Sequence, residues 1–400
     1  MLIRPVVSPT DLEQAASLGA STYRPNHYEE GKRYWRDGVP ADPTYQPSNQ
    51  RVLEVDGKIV GQVLIVDRTL AVGVARLRVG GLSGLAVAPE SREQGHAEAL
   101  MQDALSYMNK QRYDLSLVHA AEGFYLRYGY APVWPLYSLK ITVEDATRLA
   151  SPLRVRPLAA DDVPAVMALY ESVALTRVGS FVRSEPYWRW RLARLRHLRV
   201  ATDGEGNVRG YLLADAPTEV REAVAADREA AAALLADAGR AAREVGADEC
   251  RIYVPPDDPL TRWALELCPA EVCQASRPDA GWMARFVDLS RAFAKLTEEL
   301  AVRLIRSPYR DWRGRLRILT DMGTLILGCR FSEVTLLVDG STTGLYCRLP
   351  QAKLAQLLFG YRSAFEVADD ADVYMGRDAV PVMAALFPRT TAFLAGLDWF

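Results

Sequence analysis

The spacing of apolar positions changes along this 400-residue chain, and each change marks an element. Residues 82–87 (LSGLAV) form a nearly continuous apolar run, which predicts a buried strand. Ala88-Pro89 then leaves the sheet. Beyond it Ala97, Leu100, Met101, Ala104, Leu105 and Met108 recur at helical spacing. Further along, the pattern repeats itself at an offset of about 150 residues: LIRPVVSPTDLEQAASL at 2–18 is echoed by LRVRPLAADDVPAVMAL at 153–169. Each copy reads as a short strand with an Arg-Pro pair, a polar turn and an amphipathic helix. A second echo joins 51–65 to 199–214, each two apolar strands linked by an Asp-Gly turn that is longer in the second copy. From Asp288 the period is helical again (Leu289, Ala292, Phe293, Leu296, Leu300), followed by strands at Arg315–Leu319, Thr324–Leu327 and Glu333–Val338. Helices are predicted from Pro350 and from Asp378, and the sequence runs out on Ala-Gly-Leu-Asp-Trp-Phe.

The link between the first strand and its helix carries the chemistry. Arg92-x-x-Gly95-x-Ala97 is a small-residue loop at a helix start. Such a loop leaves backbone N–H groups free at the positive end of the helix dipole, a site suited to a phosphate or pyrophosphate. An ordinary strand-to-helix connection is the alternative. The second copy lacks the loop: its alanine-rich helix follows EVREAVAADRE, where carboxylates would repel a pyrophosphate. That unit is expected to be structural, or a wall of the substrate site. The stretch EPYWRWRLARLRHLRV is basic and aromatic and reads as a surface or interface helix.

Composition then removes whole classes of function. With 48 basic and 50 acidic residues the net charge is −2, which argues against nucleic acid or a membrane surface as the main partner. No apolar run reaches the ~18 residues of a membrane span, and Arg4 and Pro5 interrupt the N-terminus as a signal peptide, so a cytoplasmic protein is expected. Five cysteines without Cys-x-x-Cys spacing read as free thiols, and four histidines show no metal-ligand spacing, so no metal is expected. GLSGL at 81–85 has Leu85 where a nucleophile elbow needs glycine.

On the Arg92-x-x-Gly95-x-Ala97 loop, on GLSGLAVAPESREQG (81–95), on HAAEGFYLRYGYAPV (119–133) and on the terminal Phe, the chain resembles the Eis-type (enhanced intracellular survival) acetyltransferases of the GNAT superfamily. The resemblance implies an α/β (α+β) chain of three parts: a catalytic GNAT domain (1–148), a degenerate GNAT-like domain (149–287) and a sterol-carrier-protein-like domain (288–400). It implies acetyl-CoA as co-substrate, a primary amine (aminoglycoside-like, polyamine or lysine-type) as acceptor, direct transfer in a ternary complex, and a homo-oligomer, a hexamer in that family. Leu85, Ala86 and Val87, then Arg92, Glu93, Gln94, Gly95, His96, Ala97 and Glu98, with Ala121 and Glu122, would hold acetyl-CoA. Tyr125 would be the general acid and the Phe400 carboxylate the general base. Tyr23, Arg24, Trp35, Gly84, Asp398 and Trp399 are the substrate-site candidates, with Gly84 opening space beside the acetyl group. Chemistry agrees with those roles: a strand-end N–H near Val87 can bind the thioester oxygen, and a phenol of pKa ~10 can protonate a thiolate of pKa ~8.5 as the C–S bond breaks. Two readings stay open beside them: Tyr125 as a core tyrosine among Phe124, Tyr128 and Tyr130, and Phe400 as a hydrophobic plug. A non-enzymatic protein binding a lipid in the carrier-like part is the alternative function.

Overall fold

The repeated Arg-Pro pair explains how each half begins. The computed structural model, which describes residues 1–120, 123–331, 333–337 and 344–400, has strand β1 at Leu2–Pro5 and helix α1 at Pro9–Tyr23. Ser8 caps α1 by accepting from the Asp11 N–H, and Pro9 presets its first turn. From the strand, the Arg4 guanidinium grips the Asp11 carboxylate at 2.7 Å. In the second half Arg156 holds Asp162 in the same way at 2.6 Å.

The first sheet contains β1, β2 (Gln50–Val55), β3 (Lys58–Val72), β4 (Ala75–Val87), β5 (Leu115–Ala120) and β6 (Ala131–Trp134). Asp56 and Gly57, at φ of 50° and 77°, close the β2–β3 hairpin with the left-handed pair such a turn requires. Alternate residues of β3 serve opposite faces: Leu64 and Val66 meet Ala16 of α1, while Val63 and Ile65 join Leu100 and Met101 of α3 (His96–Lys110). Between α1 and β2 lies the short α2 (Tyr28–Arg33).

The second sheet uses β7 (Leu136–Thr142), β8 (Arg154–Pro157), β10 (His197–Thr202), β11 (Val208–Ala216), β12 (Glu219–Ala225), β13 (Glu249–Ile252) and β14 (Glu271–Ala275). Its helices are α4 (Val143–Arg148), α5 (Val163–Ala174), α6 (Glu185–Leu192), α7 (Arg228–Glu244) and α8 (Pro259–Leu267). β9 (Val178–Phe181) pairs with β3, and β15 (Gly281–Phe286) lies between β5 and β6. The strand orders are β1-β2-β3-β4-β5-β15-β6 and β8-β10-β11-β12-β13-β7-β14. They match strand for strand, including one parallel pair each, β4 with β5 and β12 with β13. The sixth position of each sheet is filled by a strand from the other half. The sheets therefore do not part at residues 148 and 149: β7 lies before that boundary yet belongs to the second sheet.

The third sheet runs β18 (Glu333–Leu336), β17 (Gly323–Arg330), β16 (Gly314–Thr320), β19 (Leu345–Arg348), β20 (Tyr374–Met375). Val338, the last residue of a predicted strand, lies outside the described residues. α9 (Leu289–Ile305), α10 (Gln351–Leu358), α11 (Ala364–Ala368) and α12 (Ala379–Leu386) accompany it. The predicted stripe on α9 is buried throughout and shares one core with Leu70 and Leu77 of the first sheet. From Ala392 to Asp398 the C-terminal tail is buried, its Phe393 N–H donating to the Val178 carbonyl at 3.0 Å.

Candidate active site

An opening in the first sheet organises the site. β4 pairs with β5 only where Val79–Leu82 lie against Leu115–Val118, although both strands continue, so the two part beyond Leu82. On its other edge β4 bulges: Gln62 pairs with Ala86 and Leu64 with Ser83, leaving Gly84 and Leu85 opposite the single Val63. Gly84 adopts φ +63°, which suits glycine. A bulge takes backbone groups out of the ladder, here at the mouth of the gap. One of them, the Leu85 carbonyl, accepts from the Tyr23 hydroxyl at 2.5 Å.

α3 starts on one side of this gap. Its N-cap, Gly95, lies at φ +76° with open space where a side chain would stand, and no side chain caps the helix. Its first-turn N–H groups are thus open to an anion, the property a pyrophosphate needs. The matching helix of the second half differs at this point: the Asp227 carboxylate accepts from the Ala230 N–H of α7 at 2.8 Å, closing that terminus with its own charge. Around Gly95, Glu93 and Gln94 are exposed, and the Arg92 side chain donates back to the Val87 carbonyl at 3.2 Å. His96 is buried with Nδ1 2.9 Å from the Ser91 carbonyl, so its ring braces the loop. Ala97 and Glu98 are half-buried, and Glu98 is held by Arg127 at 2.9 Å. Leu85, Ala86 and Val87 line the end of β4, while Ala121 and Glu122 lie outside the described residues.

Tyr125 lies on the same face, in a single helical turn at Gly123–Tyr128, edge-on to Phe124 at 5.1 Å and to Tyr130 at 5.7 Å. Burial pushes its phenol well above the ordinary value, reinforced by the nearby phenols of Tyr23 and Tyr130. The Tyr23 hydroxyl, tucked against β4 although half its ring is exposed, is pushed up to about 12 by desolvation. Both phenols are therefore proton carriers at neutral pH. The aromatic packing also agrees with the core-tyrosine reading.

The opposite face carries the substrate candidates. Trp35 covers Gly84 so closely that a Cβ there would overlap the indole. Gly84 thus opens no free space beside the gap, contrary to the sequence reading; its missing side chain admits Trp35. The Phe400 ring lies against Gly81, 6.4 Å from Phe181 in a stack and 5.1 Å from Trp282 edge-on, and joins Trp35 in a cluster with Leu64 and Val66. Trp399 turns toward the second sheet, 5.1 Å from Tyr253. Arg24 is exposed and paired with Glu30 at 3.2 Å. Asp398, a substrate-site candidate from the sequence, is already paired within the protein. It is 1% exposed and accepts from Arg183 at 2.8 Å and from the Tyr187 hydroxyl at 2.9 Å, because a buried carboxylate needs such partners. Arg183 also binds Glu222 at 2.6 Å, which knits the tail to the second sheet.

Between the tail, β3 and α6 lies a narrow cleft with about 30 Å³ of free interior, reached by Ser83, Arg68, Tyr187, Trp190, Arg191 and Phe400. Sequence reasoning missed Arg68, Arg183, Tyr187, Trp190 and Arg191 as site residues. The available signal was the basic, aromatic stretch at 185–200, which faces this cleft in part. Among the described residues no cluster of His, Cys, Asp or Glu is placed to hold a metal ion, and no helix is long and apolar enough to cross a membrane.

A sheet that splays beside a bulge and a helix start bare to anions together define the GNAT arrangement, and residues 3–133 match the family described as Acetyltransferase (GNAT) domain. Residues 3–133 are thus similar to the GNAT acetyltransferase domain. Within that class its likeness is to the Eis type: the chain is 32% identical over 131 residues to N-acetyltransferase Eis of Mycobacterium bovis and 31% identical to that of Mycobacterium tuberculosis. The resemblance stated from the sequence is borne out there. The match spans 31% of this chain and 31% of each relative. Over the full chain the fold is that of a GCN5-related N-acetyltransferase from Kribbella flavida (TM-score 0.73, 21% identity, 100% of this chain and 98% of that one). Eis1 from Mycobacterium abscessus shares it too (TM-score 0.64, 19% identity, 100% of both chains).

Proposed function

We propose that the whole protein transfers an acetyl group from acetyl-CoA to a primary amine, directly, with both substrates bound. The observation that carries this reading is the bare N-terminus of α3 beside the β4 bulge, set against the capped N-terminus of α7 in the repeat. In this reading the N–H groups around Gly95 bind the pyrophosphate, and the end of β4 from Leu85 to Val87 holds the thioester oxygen, stabilising its charge as the amine adds. Tyr125, kept protonated by burial, gives its proton to the departing thiolate. The amine enters from the cleft on the other face, so the two substrates meet at the gap between β4 and β5. Where Phe400 is the last residue, its carboxylate takes the proton the amine must lose.

The second half then acts as a degenerate GNAT unit that walls the cleft, and residues 288–400 as a sterol-carrier-like unit that delivers the tail. Residues 1–148, 149–287 and 288–400 remain the working division, with β7 and β15 exchanged across it. A cytoplasmic homo-oligomer without nucleic-acid or membrane partners belongs to the same reading. Calorimetry with acetyl-CoA and thiol release with an amine library test it together. Binding plus amine-dependent thiol release is the expected result, and a folded protein that does not bind acetyl-CoA overturns the proposal.

A further inference from the structure

Two phenols stand at the gap in the first sheet, and only one of them has a proton to give. Tyr23 is the last residue of α1, the helix that meets Leu64 and Val66 on the substrate face, and its ring lies 6.3 Å from that of Trp35. From there its hydroxyl reaches the bulge of β4 and donates to the Leu85 carbonyl at 2.5 Å. Tyr125 comes from the other face, packed with the core under α3, and lies near enough for the Tyr23 phenol to act on its charge. The two side chains therefore bracket the stretch of β4 that holds the thioester oxygen in the reading above. A phenol has one O–H to donate and lone pairs with which to accept. Tyr23 commits its hydrogen to Leu85, so what it offers the gap is an acceptor. Desolvation pushes that phenol up to about 12, so it neither ionises nor serves as a base near neutrality. The Tyr125 hydroxyl has no hydrogen-bond partner among the described residues, which leaves its proton for the thiolate.

We infer that the Tyr23 hydroxyl orients the acceptor by taking one N–H of the attacking amine, and that this bond selects primary over secondary amines. The inference rests on the acetyl-transfer reading above and deepens it. As the nitrogen lone pair bonds to the thioester carbon, the nitrogen turns positive and its N–H groups become stronger donors. A bond to Tyr23 thus tightens toward the transition state, which is the kind of contact that raises kcat. In the same sequence the nitrogen gives up one proton to the base, the C–S bond breaks, and Tyr125 protonates the sulfur. A primary amine brings two hydrogens, one for the base and one that stays on nitrogen against Tyr23. A secondary amine brings one, and must forgo either the orienting bond or the exit of its proton. Because Leu85 already fixes the phenol oxygen, the acceptor is in place before the amine arrives.

The test compares primary amines with their N-methyl counterparts in thiol release from acetyl-CoA. The scaffolds are benzylamine, Nα-acetyl-lysine amide and whichever amine of the library turns over fastest. On every scaffold that is used, kcat/KM should favour the primary amine by about tenfold or more, the scale of one hydrogen bond to a charged group. Y23F keeps a ring that is half-exposed, so its melting temperature and its acetyl-CoA affinity by calorimetry should hold. In that variant kcat for the primary amine should drop about tenfold, and the ratio of primary to N-methyl amine should fall about tenfold with it. The pH profile should keep its shape, since Tyr23 moves no proton. Crowding by the methyl group alone would leave the ratio where it was. An unchanged ratio in Y23F overturns the inference and leaves acetyl transfer standing. So does an N-methyl amine used as well as its parent by the unaltered protein, or a Y23F protein that loses acetyl-CoA affinity. Thiol release with no primary amine of the library, or no binding of acetyl-CoA by the unaltered protein, overturns instead the reading beneath it.

Discussion

A single residue decides which helix start is left open to an anion. Gly95 leaves the start of α3 bare, and G95E would set a carboxylate against the pyrophosphate at the helix end. Because a Cβ at Gly95 meets nothing within 4 Å, the strain comes only from its left-handed φ, and the fold should survive. Calorimetry on folded G95E should find acetyl-CoA binding abolished; unchanged affinity would remove the loop from the site. Y125F tests the proton donor: kcat should drop about 10²- to 10⁴-fold with acetyl-CoA affinity kept. The pH profile carries a sign of its own. Burial raises the Tyr125 phenol above the ordinary tyrosine value, so its protonated form persists to more alkaline pH, and the alkaline loss of kcat should begin above about 10. A fall near neutrality on that limb would assign the acid elsewhere. At this scale Gly95 was legible because its chemistry is local, a small residue at fixed spacing from a strand. Asp398 and Gly84 were not, since their roles come from Arg183 and Trp35, each distant in sequence.

Individual strands were read well and their sheet membership was not. The Arg-Pro openings, the Asp-Gly hairpin and the α9 stripe follow from period and turn chemistry, which act over a few residues. β7 and β15 have equivalent places in the repeat, and no local pattern says that each completes the other half's sheet. The exchange has a consequence that can be measured. β15 borders β5 along its whole length, from Gly281 opposite Ala120 to Phe286 opposite Leu115. M283P removes a donor from the centre of that ladder, where proline is not tolerated in an interior strand. It should therefore impair acetyl-CoA binding although it lies far from the loop in sequence, as thermal melts with and without acetyl-CoA would report. A mutant that melts normally and binds normally would mean that β5 holds its place without β15.

At the scale of the whole chain, the tail ties the three parts together. Arg183, wholly buried, pairs with both Glu222 of the second sheet and Asp398 of the tail. R183M leaves two buried carboxylates without a counter-charge, and breaking such a cluster typically costs ~3–5 kcal/mol. The melting temperature should fall, and the cleft should lose its wall with it. The role of the Phe400 carboxylate has its own test. A protein ending at Phe400 is compared with one extended by Gly-Ser, which turns that carboxylate into a neutral amide, and with F400A. If the carboxylate is the base, the extension lowers kcat by ~10²-fold or more. If the ring is only a plug, the extension is tolerated and F400A is the harmful change. The two readings of Phe400 came from the resemblance, whereas the Arg183 tie was not legible, because it joins residues of the second sheet and the tail that are far apart in sequence.

The exchanged strands also set a timetable. A ribosome releases β5 roughly 160 residues before β15, and at ~5–20 residues per second that interval lasts on the order of ten to thirty seconds. Throughout it one long edge of β5 has no permanent neighbour, and β6, already made, has nothing to join. The nascent first half must either wait with that edge exposed or be shielded by something else. The first sheet can be finished only after most of the second half has emerged, so the two halves of this protein are born in sequence but mature together.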